Sequence, residues 1–126
     1  MFAFPEIATR AQPPYQSLGC WKDTENSAVP TLEGKDARLK GSFSSRDYAI
    51  DLCYQSAKAK GYQIFAVQNG GWCGGMKGGT RYQKYGKANN CKYGKGGSSA
   101  NNVYQIGGKT SAKYTIFLKV RVLGSA

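Results

Sequence analysis

The sequence predicts a small α+β domain: one helix packed on a twisted antiparallel sheet, with disulfides stapling the two. Three observations carry this. One segment combines helical apolar periodicity with well-placed end signals. Several short segments read as strands, but repeated βαβ units do not join them, which argues against a parallel sheet. Four cysteines are dispersed through a chain of 126 residues that contains no histidine.

The elements follow in chain order. Residues 1–14 read as an irregular lead-in with Pro5, Pro13 and Pro14, where Phe2, Phe4 and Ile7 alternate loosely and predict a short edge strand. Residues 15–22 (YQSLGCWK) read as a strand that enters the first cysteine. Residues 23–43 hold most of the acids together with Pro30, Gly34 and Gly41, and read as loop.

A helix is expected over 45–60. Ser44 is a good N-cap, and Asp47 three residues later completes a capping-box pattern. Ala49, Leu52, Cys53, Ser56 and Ala57 fall at i, i+3, i+4, i+7 and i+8, one narrow inward face. Asp47 and Asp51 lie toward its start and Lys58 and Lys60 toward its end, which suits the helix dipole. Gly61 is a natural stop at C′. The small residues on the inward face allow a close approach, and Cys53 among them is placed to staple the helix to a neighbour.

Residues 62–68 (YQIFAVQ) read as a central strand, apolar on both sides. Residues 69–97 hold ten glycines, two cysteines and six basic residues. That is too long for a simple turn, so it is a functional loop or a loop containing small strands. Residues 103–106 read as a further short strand. Tyr114, Ile116, Leu118, Val120 and Val122 then alternate with Thr115, Phe117, Lys119 and Arg121, as in a strand wetted on one face. The domain plan is a lead-in (1–14), a main module (15–106), and a C-terminal strand (107–126) completing the same domain.

The cysteines are Cys20, Cys53, Cys73 and Cys91, too far apart for the clustered pairs of a zinc site. Two disulfides formed in an oxidising compartment are expected, hence a secreted chain. Four cysteines allow three pairings and spacing does not choose among them. The pairing taken forward is Cys20–Cys73 with Cys53–Cys91. No stretch approaches the roughly 20 apolar residues of a membrane span. The N-terminal MFAFPEIATR lacks a charged region followed by an apolar run, so it does not read as a signal peptide.

All seven acidic residues lie at or before Asp51, whereas twelve Lys and Arg follow it. A surface stripped of one sign of charge attracts polyanions. The basic residues concentrate at Lys77, Arg81, Lys84, Lys87, Lys92 and Lys95, and Tyr82, Tyr85 and Tyr93 alternate with them. Aromatics interleaved with cations suit an acidic or sulfated glycan, single-stranded nucleic acid, or an anionic mineral surface. Nucleic acid is the weakest of these, because no RNA-binding aromatic signature, KH loop or helix-turn-helix is visible. The bland reading is a solvated Lys-rich loop whose Tyr rings pack locally. Trp21 and Trp72 each adjoin a cysteine. Core packing is the ordinary role of such a Trp, and it is the role expected of Trp21. Trp72, flanked by glycines, is the better sugar-stacking platform, with Asn69 and Gln68 beside it as hydrogen-bonding groups.

Catalysis is not expected. Ser-His-Asp and Cys-His arrangements need a histidine. A glycosidase needs two carboxylates across a cleft, and Asp23, Glu25, Glu33 and Asp36 crowd into one loop region. Clustered oxygens also suit calcium, but no Asp-x-Asp-x-Asp-Gly run is present. These acids are expected to cap turns and to pair with Lys22, Lys35 and Arg38. No cofactor or metal is assigned.

Several segments taken together carry a resemblance: GCWKDT at 19–24, PTLEG at 30–34, the helical Cys53, GYQIFAVQNGGWC at 61–73, YQKYG at 82–86 and GGSSANNVYQI at 96–106. The chain resembles WSC-type extracellular modules, most closely a WSC-like variant of invertebrate secreted proteins. Gly19, Cys20, Trp21 and Asp23 match the opening of the family pattern. Gly61, Tyr62, Phe65, Gln68, Gly70 and Cys73 match its middle, and Gly96, Gly97, Val103 and Tyr104 its close. Such modules usually carry about eight cysteines; this chain has four, and Lys95 stands where the last would precede Gly-Gly. The resemblance implies an apple/WSC-like fold and extracellular polysaccharide binding. The expected function is therefore a secreted, non-catalytic module for polysaccharide, acidic or sulfated, bound through a basic Tyr-rich face. The competing class is a structural matrix protein, adhesive or biomineral-associated.

Overall fold

The computed structural model describes residues 13–107. The edge strand expected near residues 2–7 and the alternating strand expected at 114–122 lie outside the described residues. Within them the elements are β1 (Tyr15–Lys22), α1 (Ala49–Ala59), β2 (Ile64–Gln68), β3 (Trp72–Met76) and β4 (Ala100–Ile106). The strands form one sheet in the order β1-β4-β2-β3, and every neighbouring pair is antiparallel. The expected α+β class is what the chain adopts.

The two-sided apolar character of β2 decides the layering. Phe65 and Val67 point to the helix side and join Cys53, Ala57, Cys73 and Tyr104 in the larger core. Ile64 and Ala66 point the other way and join Val29, Tyr82 and Val103 in a second, smaller core. Phe65 stacks on Tyr104 at 4.9 Å, and Tyr15 meets both rings edge-on at 5.3 and 5.5 Å. Each such ring pair adds about 0.5–1.5 kcal/mol beyond burial.

Helix α1 ends as expected. Gly61, at φ 77°, forms a Schellman motif: its N–H bonds Lys58 O at 2.9 Å and the Tyr62 N–H bonds Ala57 O at 3.0 Å. The inward face is Ala49, Cys53, Ser56 and Ala57, with Leu52 half-buried at its margin. The start differs from expectation. The helix begins at Ala49 rather than 45, with Tyr48 as N-cap at φ 55°. Phe43–Ser45 is a separate 3₁₀ turn, and the Ser44 hydroxyl bonds Ser42 instead of capping. The cause is Arg46. Its backbone is extended (φ −76°, ψ 124°), and its side chain is drawn inward to Glu33, so no helix can run through it.

The disulfides are Cys20–Cys91 and Cys53–Cys73, which corrects the expected Cys20–Cys73 and Cys53–Cys91. Strand order explains the difference. Cys20 lies on β1 and Cys73 on β3, with β4 and β2 between them. Three strand spacings are about 14 Å, and a disulfide tolerates a Cα separation of at most about 7 Å. Cys73 instead faces Cys53 across the helix–sheet interface, where both are fully buried. Cys20–Cys91 ties β1 to the glycine-rich loop.

Two loop segments pad the sheet. Residues 86–88 run along β1, where Lys22 N–H bonds Gly86 O at 2.9 Å and Ala88 N–H bonds Cys20 O at 3.1 Å. This covers part of an edge strand. Residues 29–31 approach β3, where Gly75 N–H bonds Pro30 O at 2.9 Å. Gly74 permits that approach, since a Cβ there would lie 2.8 Å from Pro30 O and 2.8 Å from the Trp72 indole.

Tyr104 links sheet to loop through its hydroxyl, which donates to Gly94 O at 2.7 Å. Burial, reinforced by neighbouring Tyr15, pushes its pKa up to about 12. Above about pH 10 an unfolded tyrosine ionises, while the folded one still holds its proton. The stability from Tyr104 is complete below about pH 10 and drains away up to about pH 12. Tyr104→Phe is expected to lose about 1 kcal/mol at pH 7 and to show a shallower loss above pH 10, read from urea melts across that range. An unchanged alkaline slope would count against this assignment.

Candidate functional site: a polar cleft beside the basic loop

Among the described residues two ion pairs form, Arg38–Asp36 at 2.9 Å and Arg46–Glu33 at 2.7 Å. The Asp36–Arg38 pair was expected. Glu33 pairs with Arg46 instead of Lys35 or Arg38, and Lys22 and Lys35 make no ion pair there. The Asp36 carboxyl is held below its ordinary pKa, first by the Arg38 backbone N–H and then by the guanidinium. Lys77, Arg81, Lys84, Lys87, Lys92 and Lys95 take part in neither pair. Two of them lie over rings instead: Lys84 Nζ is 5.2 Å from the Tyr85 centroid and Lys87 Nζ is 5.6 Å from the Trp21 centroid.

Beside this loop lies a surface cleft of about 870 Å³. One wall is the end of β1 with the residues after it, Lys22, Asp23 and Thr24; the facing walls come from residues 85–90 and 98–99. Backbone bonds fix them together. Asp23 N–H donates to Ser99 O at 2.9 Å, and Lys22 N–H to Gly86 O at 2.9 Å. The Asn90 amide donates to Ser98 O at 3.0 Å. The Tyr85 hydroxyl donates to Asn26 O at 2.6 Å.

Asp23, on the first wall, is only 4% exposed. Its Oδ1 accepts the Ala28 N–H at 2.9 Å, and its Oδ2 accepts the Gln68 amide at 2.9 Å. Gln68 also donates to Asn101 Oδ1 at 2.8 Å. Residues Trp21, Asn101, Gln68 and Trp72 are cross-strand partners in one row spanning the sheet. Through Gln68 that row is tied to the cleft residue Asp23.

The expected site residues separate into groups. Tyr85 and Lys87 line the cleft. Tyr82 does not face solvent: it is 8% exposed and packs edge-on to Trp21 at 5.5 Å. The 3₁₀ turn Arg81–Gln83 directs it into the second core. Gln68 is part-buried and serves Asp23 and Asn101. Trp72 is half-buried on β3, its indole close over Gly74. Asn69 is exposed at φ 54°, and Tyr93 is 89% exposed at φ 56°. Trp72, Asn69 and Tyr93 are not among the residues that line the cleft. Sequence reasoning missed Lys22, Thr24, Asn89, Asn90, Ser98 and Ser99. The Asn-Asn and Ser-Ser doublets were the only available signal.

Among the described residues no group of three or more His, Cys, Asp and Glu is gathered to hold a metal ion, and no helix is long and apolar enough to cross a membrane. Comparison with known proteins gives no match: neither a family model nor a curated protein matches the chain.

Proposed function

We propose that this domain is a secreted, non-catalytic binding module for polysaccharide, and that it takes acidic or sulfated glycans through its basic loop. The observation that carries this is the run of six cations at 77–95 that enter no ion pair among the described residues. They lie in a stretch without a single carboxylate. Two disulfides suit an oxidising compartment. The likeness of residues 15–106 to WSC-type modules points to carbohydrate rather than to another polyanion. The cleft has one carboxylate, Asp23, with both oxygens engaged, whereas glycoside hydrolysis ordinarily uses two.

The test is retention on immobilised heparin against salt. Arg81→Glu with Lys84→Glu is expected to weaken retention far more than Arg38→Glu with Lys40→Glu. Retention should also fall steeply with NaCl, because a polyelectrolyte releases counter-ions. The Arg81/Lys84 variant should melt like the parent, since exposed charges contribute little to stability, whereas the Arg38/Lys40 variant forfeits the Arg38–Asp36 pair and should melt slightly lower. Equal losses from the two pairs would reduce the effect to net charge and refute a localised face.

A second reading, a structural matrix protein that adheres to anionic surfaces, draws on Tyr48 and Tyr93. They are 81% and 89% exposed, and both are held at positive φ. Adsorption to mineral or polymer without saturable binding of short saccharides would favour it.

A further inference from the structure

We infer that the cleft between Lys22 and Lys87 is a discrete subsite for one acidic sugar unit of the glycan, with its carboxylate or sulfate held by these two ammonium groups. This rests on the polysaccharide-binding reading and adds a stoichiometric, short-range site to a diffuse basic loop.

Size comes first. A cleft of about 870 Å³ falls within the roughly 300–1,000 Å³ of small-ligand sites. Its lining combines apolar surface with hydrogen-bonding side chains, as the faces and edges of a pyranose require. The Thr24 hydroxyl is turned to Asn26 and the Asn90 amide to Ser98 O, while the Asn89 amide and the Ser98 and Ser99 hydroxyls can both donate and accept hydrogen bonds. The neighbouring hydroxyls of a pyranose need that dual character.

Charge selects an acidic sugar over a neutral one. Two lysines and one aspartate are among the residues that line the cleft. Asp23 is already engaged by Ala28 N–H and the Gln68 amide. Neither lysine forms an ion pair among the described residues. Lys87 is held over Trp21 at 5.6 Å, which fixes its stem beside the cleft. An anion placed here gains charge-assisted hydrogen bonds, meeting Lys22 without breaking an ion pair and drawing Lys87 from the Trp21 ring.

Preorganisation supports a specific site. Tyr85 is fixed at its hydroxyl by the 2.6 Å bond to Asn26 O. The walls are joined by the Asp23–Ser99 and Lys22–Gly86 backbone bonds and, just behind them, by Cys20–Cys91. Ordering costs on binding are small when the groups are already held.

The experiment is an amide NMR titration of the full chain with three tetrasaccharides: one containing glucuronate, the same with its carboxylates reduced to hydroxymethyl groups, and one sulfated. Saturable shifts are expected at Lys22, Thr24, Asn89 and Ser99. Carboxyl reduction should weaken affinity about tenfold or more, as for loss of a charge-assisted bond. The sulfated arm decides which anion is preferred. Lys22→Gln and Asn89→Ala should each weaken tetrasaccharide binding while leaving heparin retention nearly unchanged. Arg81→Glu with Lys84→Glu should do the reverse. If heparin is retained while acidic tetrasaccharides leave the cleft amides unmoved, the subsite is refuted and the basic-loop reading stands. If neither binds, both fall. Equal binding of the reduced tetrasaccharide would also overturn the inference.

Discussion

Arg46→Ala is expected to destabilise the domain by about 3–5 kcal/mol, the cost of breaking a buried ion pair on one side. The Arg46 side chain is 2% exposed, and its guanidinium grips Glu33 at both oxygens, at 2.7 and 2.9 Å. The same guanidinium donates to Gly71 O at 2.9 Å, and Glu33 Oε2 also accepts the Cys73 N–H at 2.8 Å. One pair thus ties the acidic loop, the segment before α1 and the start of β3. Deleting the arginine leaves a carboxylate and a carbonyl inside without their partner. Arg46→Lys should recover only part of the loss, because an ammonium cannot reproduce the planar fork. Glu33→Gln combined with Arg46→Met should cost less than Arg46→Ala, since it removes both charges together. Guanidinium denaturation with an unchanged m-value is the measurement. A loss below about 1 kcal/mol for Arg46→Ala would mean that the pair is better solvated than its burial implies.

The same pair marks a limit of sequence reading. The C-terminal end of α1 was legible because Gly61 and the last turn are adjacent in the chain, so the signal is local. The start was not. Ser44 and Asp47 have the letters of a capping box, but Arg46 between them answers to Glu33, thirteen residues away. The central position of β2 could be read because Ile64, Phe65, Ala66 and Val67 are apolar on both alternating faces. β3 (WCGGM) could not, since two of its five residues are glycines with poor strand propensity. It is a strand because β2 pairs with it and Pro30 and the Trp72 indole crowd Gly74. Disulfide pairing was hidden for a related reason: it depends on strand order, which spacing does not encode. At the site, the charge asymmetry was visible at once. Tyr82 and Tyr85 were not distinguishable, standing three residues apart in one Lys-rich run. A single 3₁₀ turn sends the first into the second core and leaves the second at the cleft. Asn89 and Ser99 carry no chemistry that singles them out until Asp23 N–H and Ser99 O are seen to join.

Removing the Cys20–Cys91 bridge by the double substitution Cys20→Ala with Cys91→Ala is expected to lower stability by about 4 kcal/mol and to abolish acidic-tetrasaccharide binding. The bridge spans a sequence separation of 71 residues, against 20 for Cys53–Cys73. In the chain-entropy picture the longer closure restrains the unfolded chain more. Its position also differs. Cys20 and Cys91 are half-buried, whereas Cys53 and Cys73 are fully buried beneath α1. Cys91 directly follows the cleft residue Asn90, and Cys20 accepts the Ala88 N–H through its carbonyl. Losing the bridge should therefore loosen the 85–91 wall while α1, still bonded to β3, keeps the larger core packed. Thiol–disulfide exchange needs access to a sulfur, so limited reduction of the parent protein should open Cys20–Cys91 first. Alkylation followed by peptide mapping should find a stage labelled at Cys20 and Cys91 only. That species should retain the circular dichroism of a folded domain and lose saturable binding. Labelling of Cys53 and Cys73 first, or undiminished tetrasaccharide binding by the doubly substituted protein, would show that the cleft wall holds without its covalent tie.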